Sequence, residues 1–477
     1  MPLTVLAGSD VDKILHSLTR DDILDLQQSL GDALHYYSTS TLDDDNGCCS
    51  SFQPKRTALQ RKDGSTLLFM PATSDKAVGV KVLAVDSPSG TFGGSTLDSS
   101  GTPSLASLSI SSASSSMRSG SIPSSPSIPT PASTRSSITA VDGPEDTPAS
   151  IINSASATTK SSIRGSLTLL DNTGKPRGLL NAEEITAFRT ALAATMLFKK
   201  RENVHDVLIF GAGKQAYWHA RLALLLKGKQ IHHLNFINRS FENAQQLVQK
   251  LFKSELTGDL HHPKVAIITP GHTEYARLLK ENVRTAAAIF CTTPSSEPLF
   301  PASYLTSTEG RKKGRYISAI GSYKPSMIEL HPEILQQAVA PTHSHHHHKH
   351  AKTGGAVVVD SVEACLKEAG EIIQAGLGGT EVVELGELIM LKKDAEKRRT
   401  EVEAEANYDH KGIELGRRRK SKDKGKEDPA EASMREWLVK GNVVYKSVGL
   451  GLMDVVVGGD LVALADARKI GTRIENF

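Results

Sequence analysis

The chain has 477 residues, with 56 Lys and Arg against 53 Asp and Glu, a formal net charge of +3, and 39% apolar side chains. That near-balance gives no electrostatic footprint for nucleic acid, and no apolar run reaches the roughly 18 residues that a membrane helix needs. Met1–Asp10 lacks the regions of a secretory signal, and Cys48, Cys49, Cys291 and Cys365 are too few and too oddly spaced for a disulfide framework, so a soluble cytoplasmic protein is expected.

Along the chain, Ser9 with Asp12 and Thr19 with Asp22 each place a cap residue three positions before a carboxylate, so a helix is expected to start at each. Thr66–Met70 and the valine-rich Gly79–Val85 read as strands. Residues 89–160 are dominated by Ser, Thr, Pro and Gly, as in Ser111–Ser124. Such a stretch cannot bury enough apolar surface to offset its ordering entropy, so disorder is expected. A strand at Leu167–Leu170 and a turn at Asp171–Gly174 precede a helix from Asn181, with Glu184 three places on and an apolar face of Ile185, Phe188 and Leu192. From Asp206 strands and helices alternate, which argues for a parallel sheet covered by helices. Residues 340–355 carry His343, His345, His346, His347, His348 and His350; this is read as a low-complexity loop in preference to a metal tract, and no metal site is expected. Residues 392–435, with charge runs such as Arg417–Lys420, read as a solvated segment.

The strongest local motif is Val207-Leu-Ile-Phe-Gly-Ala-Gly-Lys-Gln-Ala216, an apolar strand running into a glycine turn and a helix. Gly211 permits the tight turn and Gly213 removes the Cβ that would block a pyrophosphate. Ala216 stands where close helix–strand packing needs a small residue. The backbone N–H groups from Ala212, Gly213, Lys214 and Gln215 then face the phosphates. The next strand, His233–Ile237, ends in Asn238-Arg239-Ser240, where an NAD-preferring site would carry an acid for the ribose hydroxyl. Arg239 can instead pair with a 2′-phosphate as a planar fork, so NADP(H) is expected over NAD(H).

These residues, together with Pro54-Lys-Arg56, Phe69-Met-Pro-Ala72, Gly79-Val-Lys81, Ile185–Ala191, Glu297-Pro298, Ile317–Gly321 and Lys446-Ser-Val-Gly-Leu450, resemble the ornithine cyclodeaminase/mu-crystallin family, and more closely its ketimine reductase branch. The resemblance covers nearly everything outside the three inserts. It implies a Rossmann-type domain (203–391) inserted into a second α/β domain built from residues 1–88, 161–202 and 436–477, which binds substrate and forms a homodimer. By motif, Arg56, Lys81 and Arg189 match the residues that hold the substrate carboxylate. Cations converging in a desolvated cleft can indeed aim the neighbouring carbon. Thr292 and Thr293 match the stretch that passes the nicotinamide ribose, and Ser447, Val448 and Gly449 the segment that closes over it. A family hydroxyl before Leu167 falls near Ser161 or Ser162.

One position departs from the cyclodeaminase pattern. The turn that carries a catalytic aspartate in those enzymes reads Gly321-Ser-Tyr-Lys-Pro325, with Tyr323 in the aspartate's place. A phenol, with an ordinary pKa near 10, is a far weaker base than a carboxylate. Tyr323 is therefore expected to line the pocket, and cyclodeamination is disfavoured. The expectation is an NADPH-dependent reductase of small α-imino acids. The alternatives are an amino-acid dehydrogenase, a cyclodeaminase-like enzyme and a non-catalytic NADPH-dependent binder. A small carboxylate is the expected partner, with no nucleic acid and no membrane.

Overall fold

Two β-sheets organise the residues that the computed structural model describes, which are 2–40, 48–62, 65–85, 164–253, 260–340, 355–389 and 437–477. The three inserts expected at 89–160, within 340–355 and at 392–435 fall outside the described residues, as do Ser161 and Ser162. The first sheet holds β1 (Leu3–Leu6), β2 (Thr57–Gln60), β3 (Thr66–Thr73), β4 (Val78–Val85), β5 (Arg164–Leu170), β6 (Pro176–Asn181) and β15 (Thr472–Ile474), in the order β15-β1-β6-β5-β4-β3-β2. The second holds β7 (Asp206–Phe210), β8 (His233–Ile237), β9 (Lys264–Ile268), β10 (Ala288–Cys291), β11 (Tyr316–Ala319), β12 (Gly355–Val359), β13 (Val382–Glu384) and β14 (Asn442–Lys446). Its order is β13-β12-β14-β11-β10-β7-β8-β9, and its ladders are parallel. The α/β class and the parallel, helix-covered sheet are as the alternation of elements predicts.

The helices are α1 (Gly8–His16), α2 (Arg20–Thr39), α3 (Ala182–Phe198), α4 (Lys214–Lys227), α5 (Phe241–Leu251), α6 (Tyr275–Thr285), α7 (Ser303–Thr306), α8 (Pro332–Val339), α9 (Val362–Glu368), α10 (Gly370–Ala375) and α11 (Gly451–Arg468). Thr19 caps α2 with a full capping box, its hydroxyl accepting from Asp22 N at 3.1 Å while Asp22 accepts from Thr19 N at 2.8 Å. Helix α1 starts earlier than its signature suggests. Ala7 is the cap position and Asp10 accepts its N–H at 3.0 Å, because the chain leaves β1 directly into the helix and takes Ser9 inside the first turn. Asn181 caps α3 as expected, accepting from Glu183 N at 3.0 Å. Glu184 turns instead to Trp218 Nε1 of α4, at 2.9 Å.

Helix α3 is buried from Ala187 to Phe198 with no polar face, rather than along one stripe. It packs against α1, α2, α11 and β5 on the side of the first sheet and against α4 on the side of the second, so every face meets protein. Phe188 meets Trp218 edge-on at 5.2 Å, and Phe198 meets Phe290 of β10 at 5.5 Å, which joins the two sheets into one apolar core. Helix α11 returns to the first sheet, lying over Gly79, Leu167, Leu169 and Gly178, where a bulkier residue would meet Val455 or Val462 or crowd the helix. The expected boundary at residue 436 is corrected by this topology. Strand β14 lies in the second sheet between β11 and β12, and the return begins only at Gly451. Three consecutive buried residues, Val443, Val444 and Tyr445, suit a central parallel strand covered on both faces.

Thr19→Ala removes the hydroxyl half of its capping box. It is expected to cost about 1 kcal/mol of stability, read as a lower midpoint in urea unfolding with an unchanged slope.

Candidate active site

The candidate nucleotide crevice lies where β7 and β10 are side by side and the chain leaves them toward opposite ends of the sheet. Gly211 follows β7 at a φ of +109°, a region that favours glycine, and a Cβ there would stand 2.7 Å from Thr292 Oγ1. Thr292 itself donates to the carbonyl of Phe210 at 2.6 Å, so its hydroxyl serves the strand end. Gly213 stands at the cap position of α4 with no side chain over it, and a Cβ placed there would meet nothing within 4 Å. The open first turn of α4 therefore presents unpaired N–H groups toward free space, the feature a dinucleotide pyrophosphate requires. Ala212 is half-buried and Ala216 fully buried against the core. Lys214 spends its ammonium on Glu184 at 2.8 Å and Glu183 at 3.5 Å, so it offers the crevice its backbone. The side-chain Oε1 of Gln215 is buried without a partner among the described residues. At the end of β8, Asn238 donates to Ser240 O at 2.7 Å and Ser240 caps α5 at 3.1 Å. That leaves Arg239 exposed, with no ion pair among the described residues.

The second component is a buried cluster of charges. Lys81 lies on the inner face of β4, in register with Met70 and Leu167, so the period-2 alternation that buries Gly79 and Leu83 also buries it. Its ammonium donates to both oxygens of Asp454 on α11, at 2.9 Å each. Arg189 of α3 donates through Nε to Asp454 Oδ1 at 3.2 Å and through Nη1 to Met453 Sδ at 3.4 Å. Lys81, Arg189 and Asp454 are 1%, 4% and 0% exposed. Burial lowers the Lys81 pKa to about 8, Asp454 opposes that shift and Arg189 adds to it.

Gly449, at a φ of +91°, passes directly over Arg189: a Cβ there would be 2.7 Å from Nη2. The loop of Ser447, Val448 and Gly449 is held by Asp360, at the end of β12, which accepts from Ser447 Oγ at 2.7 Å, Val448 N at 3.3 Å and Gly449 N at 2.7 Å. Beside it, buried Glu329 accepts from Thr293 N and Gly321 N, both at 2.7 Å, tying the loop after β10 to the loop after β11. Burial raises the Glu329 pKa to about 7, against the pull of Lys446. Buried Glu371 accepts from Ser322 Oγ at 2.5 Å and Glu329 N at 2.7 Å, and Lys446 Nζ donates to Ser322 O at 2.6 Å. The turn 321–325 is thus pinned from beneath, while Tyr323 projects outward, 45% exposed.

The structure brings Lys81 and Arg189 together on Asp454. Arg56 is half-exposed and forms an ion pair with Glu368 of α9. The ion pairs among the described residues group Lys81 with Arg189 on Asp454 and give Arg56 a different carboxylate, Glu368. Burial lowers the Arg56 pKa and the charge of Asp360 opposes this. Sequence reasoning missed Asp454, Asp360, Glu329 and Glu371. Two had a faint signal: a lone acid within or just after an apolar run, Asp454 in Gly451–Val457 and Asp360 after Val357–Val359.

Chemically, the cluster can hold an anion: Lys81 keeps one N–H beyond its two bonds to Asp454, and Arg189 Nη2 has no bond among the described residues. Binding a carboxylate needs the ammonium form of Lys81, which is lost as pH rises through its value of about 8. Carboxylate affinity is expected to be full below that pH and to decline above it. Lys81→Arg, permanently charged, should flatten the decline; titration calorimetry across pH 6–10 checks this.

Residues 153–458 match the ornithine cyclodeaminase/mu-crystallin family. The chain is 31% identical over 244 residues to the uncharacterized protein YGL159W of Saccharomyces cerevisiae, a match covering 46% of this chain and 61% of that protein. It is 28% identical over 322 residues to a Delta(1)-pyrroline-2-carboxylate reductase of Bacillus cereus, covering 66% of this chain and 75% of the relative. To the ketimine reductase mu-crystallin of Mus musculus it is 30% identical over 247 residues, covering 50% and 64%. Its fold is shared with an archaeal alanine dehydrogenase dimer with bound NAD, at a TM-score of 0.57, 16% identity and full coverage of both chains. The glycine crevice, the buried Lys81–Arg189 pair and the matched span together place this chain in the ornithine cyclodeaminase/mu-crystallin family.

Proposed function

We propose that this chain is an NADPH-dependent reductase of small 2-imino acids, ketimines or cyclic imines such as pyrroline- or piperideine-2-carboxylate. The observation that carries the reading is the buried Lys81–Arg189 pair beneath the Gly449 loop, two cations whose covering loop runs on from β14 of the second sheet. Relatives named as reductases of pyrroline-2-carboxylate and of ketimines support it.

In this reading the first sheet and α11 hold the substrate, and the second sheet holds the cofactor along Gly211–Gln215, Asn238–Ser240, Thr292, Thr293 and Val448. NADPH, when bound, supplies hydride. Lys81 and Arg189 fix the carboxylate and so fix the direction in which the C=N carbon faces. Arg56 adds a third contact when it exchanges Glu368 for the substrate. The loop of Ser447–Gly449, latched by Asp360, excludes water from above. A protonated imine already carries the charge that attracts hydride, so reduction asks for no carboxylate base at position 323. Tyr323 lines the mouth of the pocket, which argues against cyclodeamination.

Arg239 supports NADPH over NADH, since a free guanidinium at the end of β8 can pair with the 2′-phosphate. The four cysteines are buried and none is joined in a disulfide, which suits a reducing compartment, and we place the enzyme in the cytoplasm. We further propose a homodimer. The face of the first sheet opposite α11 carries Leu59, Val78, Leu179 and Ile474, 39–52% exposed, continued by half-buried Phe69, Val80 and Val82. No described helix packs on that face, and a second copy of the same sheet is its self-complementary cover.

The test of function is nucleotide consumption over a panel of cyclic imino acids and 2-oxo acids, with and without amine. Turnover is expected with NADPH, and Lys81→Ala should lower kcat/KM by about a hundredfold or more, as for truncating one partner of a buried charge pair. Arg239→Asp should shift preference toward NADH by about tenfold or more. Tight NADPH binding without turnover on any imine would discard the reductase reading. In sedimentation velocity the chain should run as a dimer and Val78→Glu as a monomer.

A further inference from the structure

We infer that Asp454 is a built-in counter-charge that offsets one of the two cations of the Lys81–Arg189 cluster and so selects monocarboxylates over dicarboxylates. The inference rests on the carboxylate-binding role proposed for Lys81 and Arg189, and it adds a specificity rule to that role. Two cations and one carboxylate share a space that is 0–4% exposed, where an unbalanced charge is costly. Asp454 has spent both oxygens, on Lys81 Nζ at 2.9 Å each and on Arg189 Nε at 3.2 Å. One positive charge is left over, and the remaining donors, the third N–H of Lys81 and Nη2 of Arg189, belong to two different arms of one small site.

The next carboxylate along the cleft, Asp360, supplies no cation and adds a further negative charge behind the Gly449 loop. Asp360 is turned to the N–H groups of Val448 and Gly449 and to the hydroxyl of Ser447. Arg56, the nearest further cation, is paired with Glu368 and, in the proposed reading, turns to that same first carboxylate, so it leaves nothing for a second one. An incoming monocarboxylate offsets the cation that Asp454 leaves uncompensated. A second carboxylate on the same small molecule would lie in low dielectric near Asp454 with no cation left for it. Asp454 is thus a positioning residue: it keeps the two cations side by side and repels doubly charged ligands, without touching the reacting atoms.

The test uses oxamate and oxalate, planar molecules of equal size that differ by one charge. Each is titrated calorimetrically into the full chain with NADP⁺ present. Wild type should bind oxamate at least about tenfold more tightly than oxalate, like charges in a desolvated site being strongly repelled. Asp454→Asn should close or invert that ratio, and Asp454→Glu, which restores the charge, should retain it. Wild type that binds oxalate as tightly as oxamate, or that binds neither, overturns the inference; so does an Asp454→Asn protein with the wild-type ratio. If Asp454→Asn fails to fold, the wild-type and Asp454→Glu ratios decide. Because binding is read without turnover, wild-type discrimination with no activity on imines would leave this inference standing and remove only the reductase reading.

Discussion

The carboxylate of Asp454, sealed between Lys81 and Arg189, is the constraint around which the first sheet, α3 and α11 are arranged. Lys81 and Asp454 are 373 positions apart in the chain, and Arg189 and Asp454 are 265 apart. Each would be costly to bury alone; together their charges and hydrogen bonds offset much of the desolvation. Because α11 supplies the acid, the chain must come back from the second sheet after β14 and lie across β3, β4 and β5 before the site exists. The glycines of that face, Gly79, Gly178 and Gly458, allow the approach: any Cβ there would stand within 3 Å of a side chain.

A second set of buried carboxylates does for loops what Asp454 does for helices. Parallel strands leave their connecting loops at one edge, where backbone N–H groups need partners. Asp360, Glu329 and Glu371 supply them, accepting from Gly449 and Val448, from Thr293 and Gly321, and from Glu329 N respectively. Lys446 stands among them and offsets part of their charge. The raised pKa of Glu329 shows that the compensation is incomplete, burial outweighing the pull of Lys446. The loops that frame the crevice are thereby positioned by fixed hydrogen bonds and not by side-chain packing alone.

This division explains how one frame can carry different chemistry at its rim. The turn 321–325 is held by Gly321 N, Ser322 Oγ and Ser322 O, all directed inward, while the side chain of residue 323 is free of that network. A tyrosine there places an exposed phenol on the turn without disturbing the backbone beneath it. The chemistry proposed for this chain accordingly relies on positioning by Arg189 and Lys81 and on the polarity of the substrate itself.

Much of the fold was legible from local spacing. The Thr19–Asp22 box, the Asn181 cap and the Val207–Ala216 strand–turn–helix depend on residues a few positions apart, whose backbone preferences act before any long-range contact forms. The alternation of strands and helices after Asp206 likewise dictates a parallel sheet, since parallel neighbours require crossovers. The candidate nucleotide residues belong to this local class. What spacing could not carry were pairings between distant segments. The charge partner of Lys81 and Arg189, the diversion of Arg56 to Glu368, the burial of α3 on every side and the insertion of β14 between β11 and β12 each depend on which surfaces meet after folding. A lone Asp in an apolar helix looks like a flaw in the pattern until the strand and helix that complete its charge are brought against it.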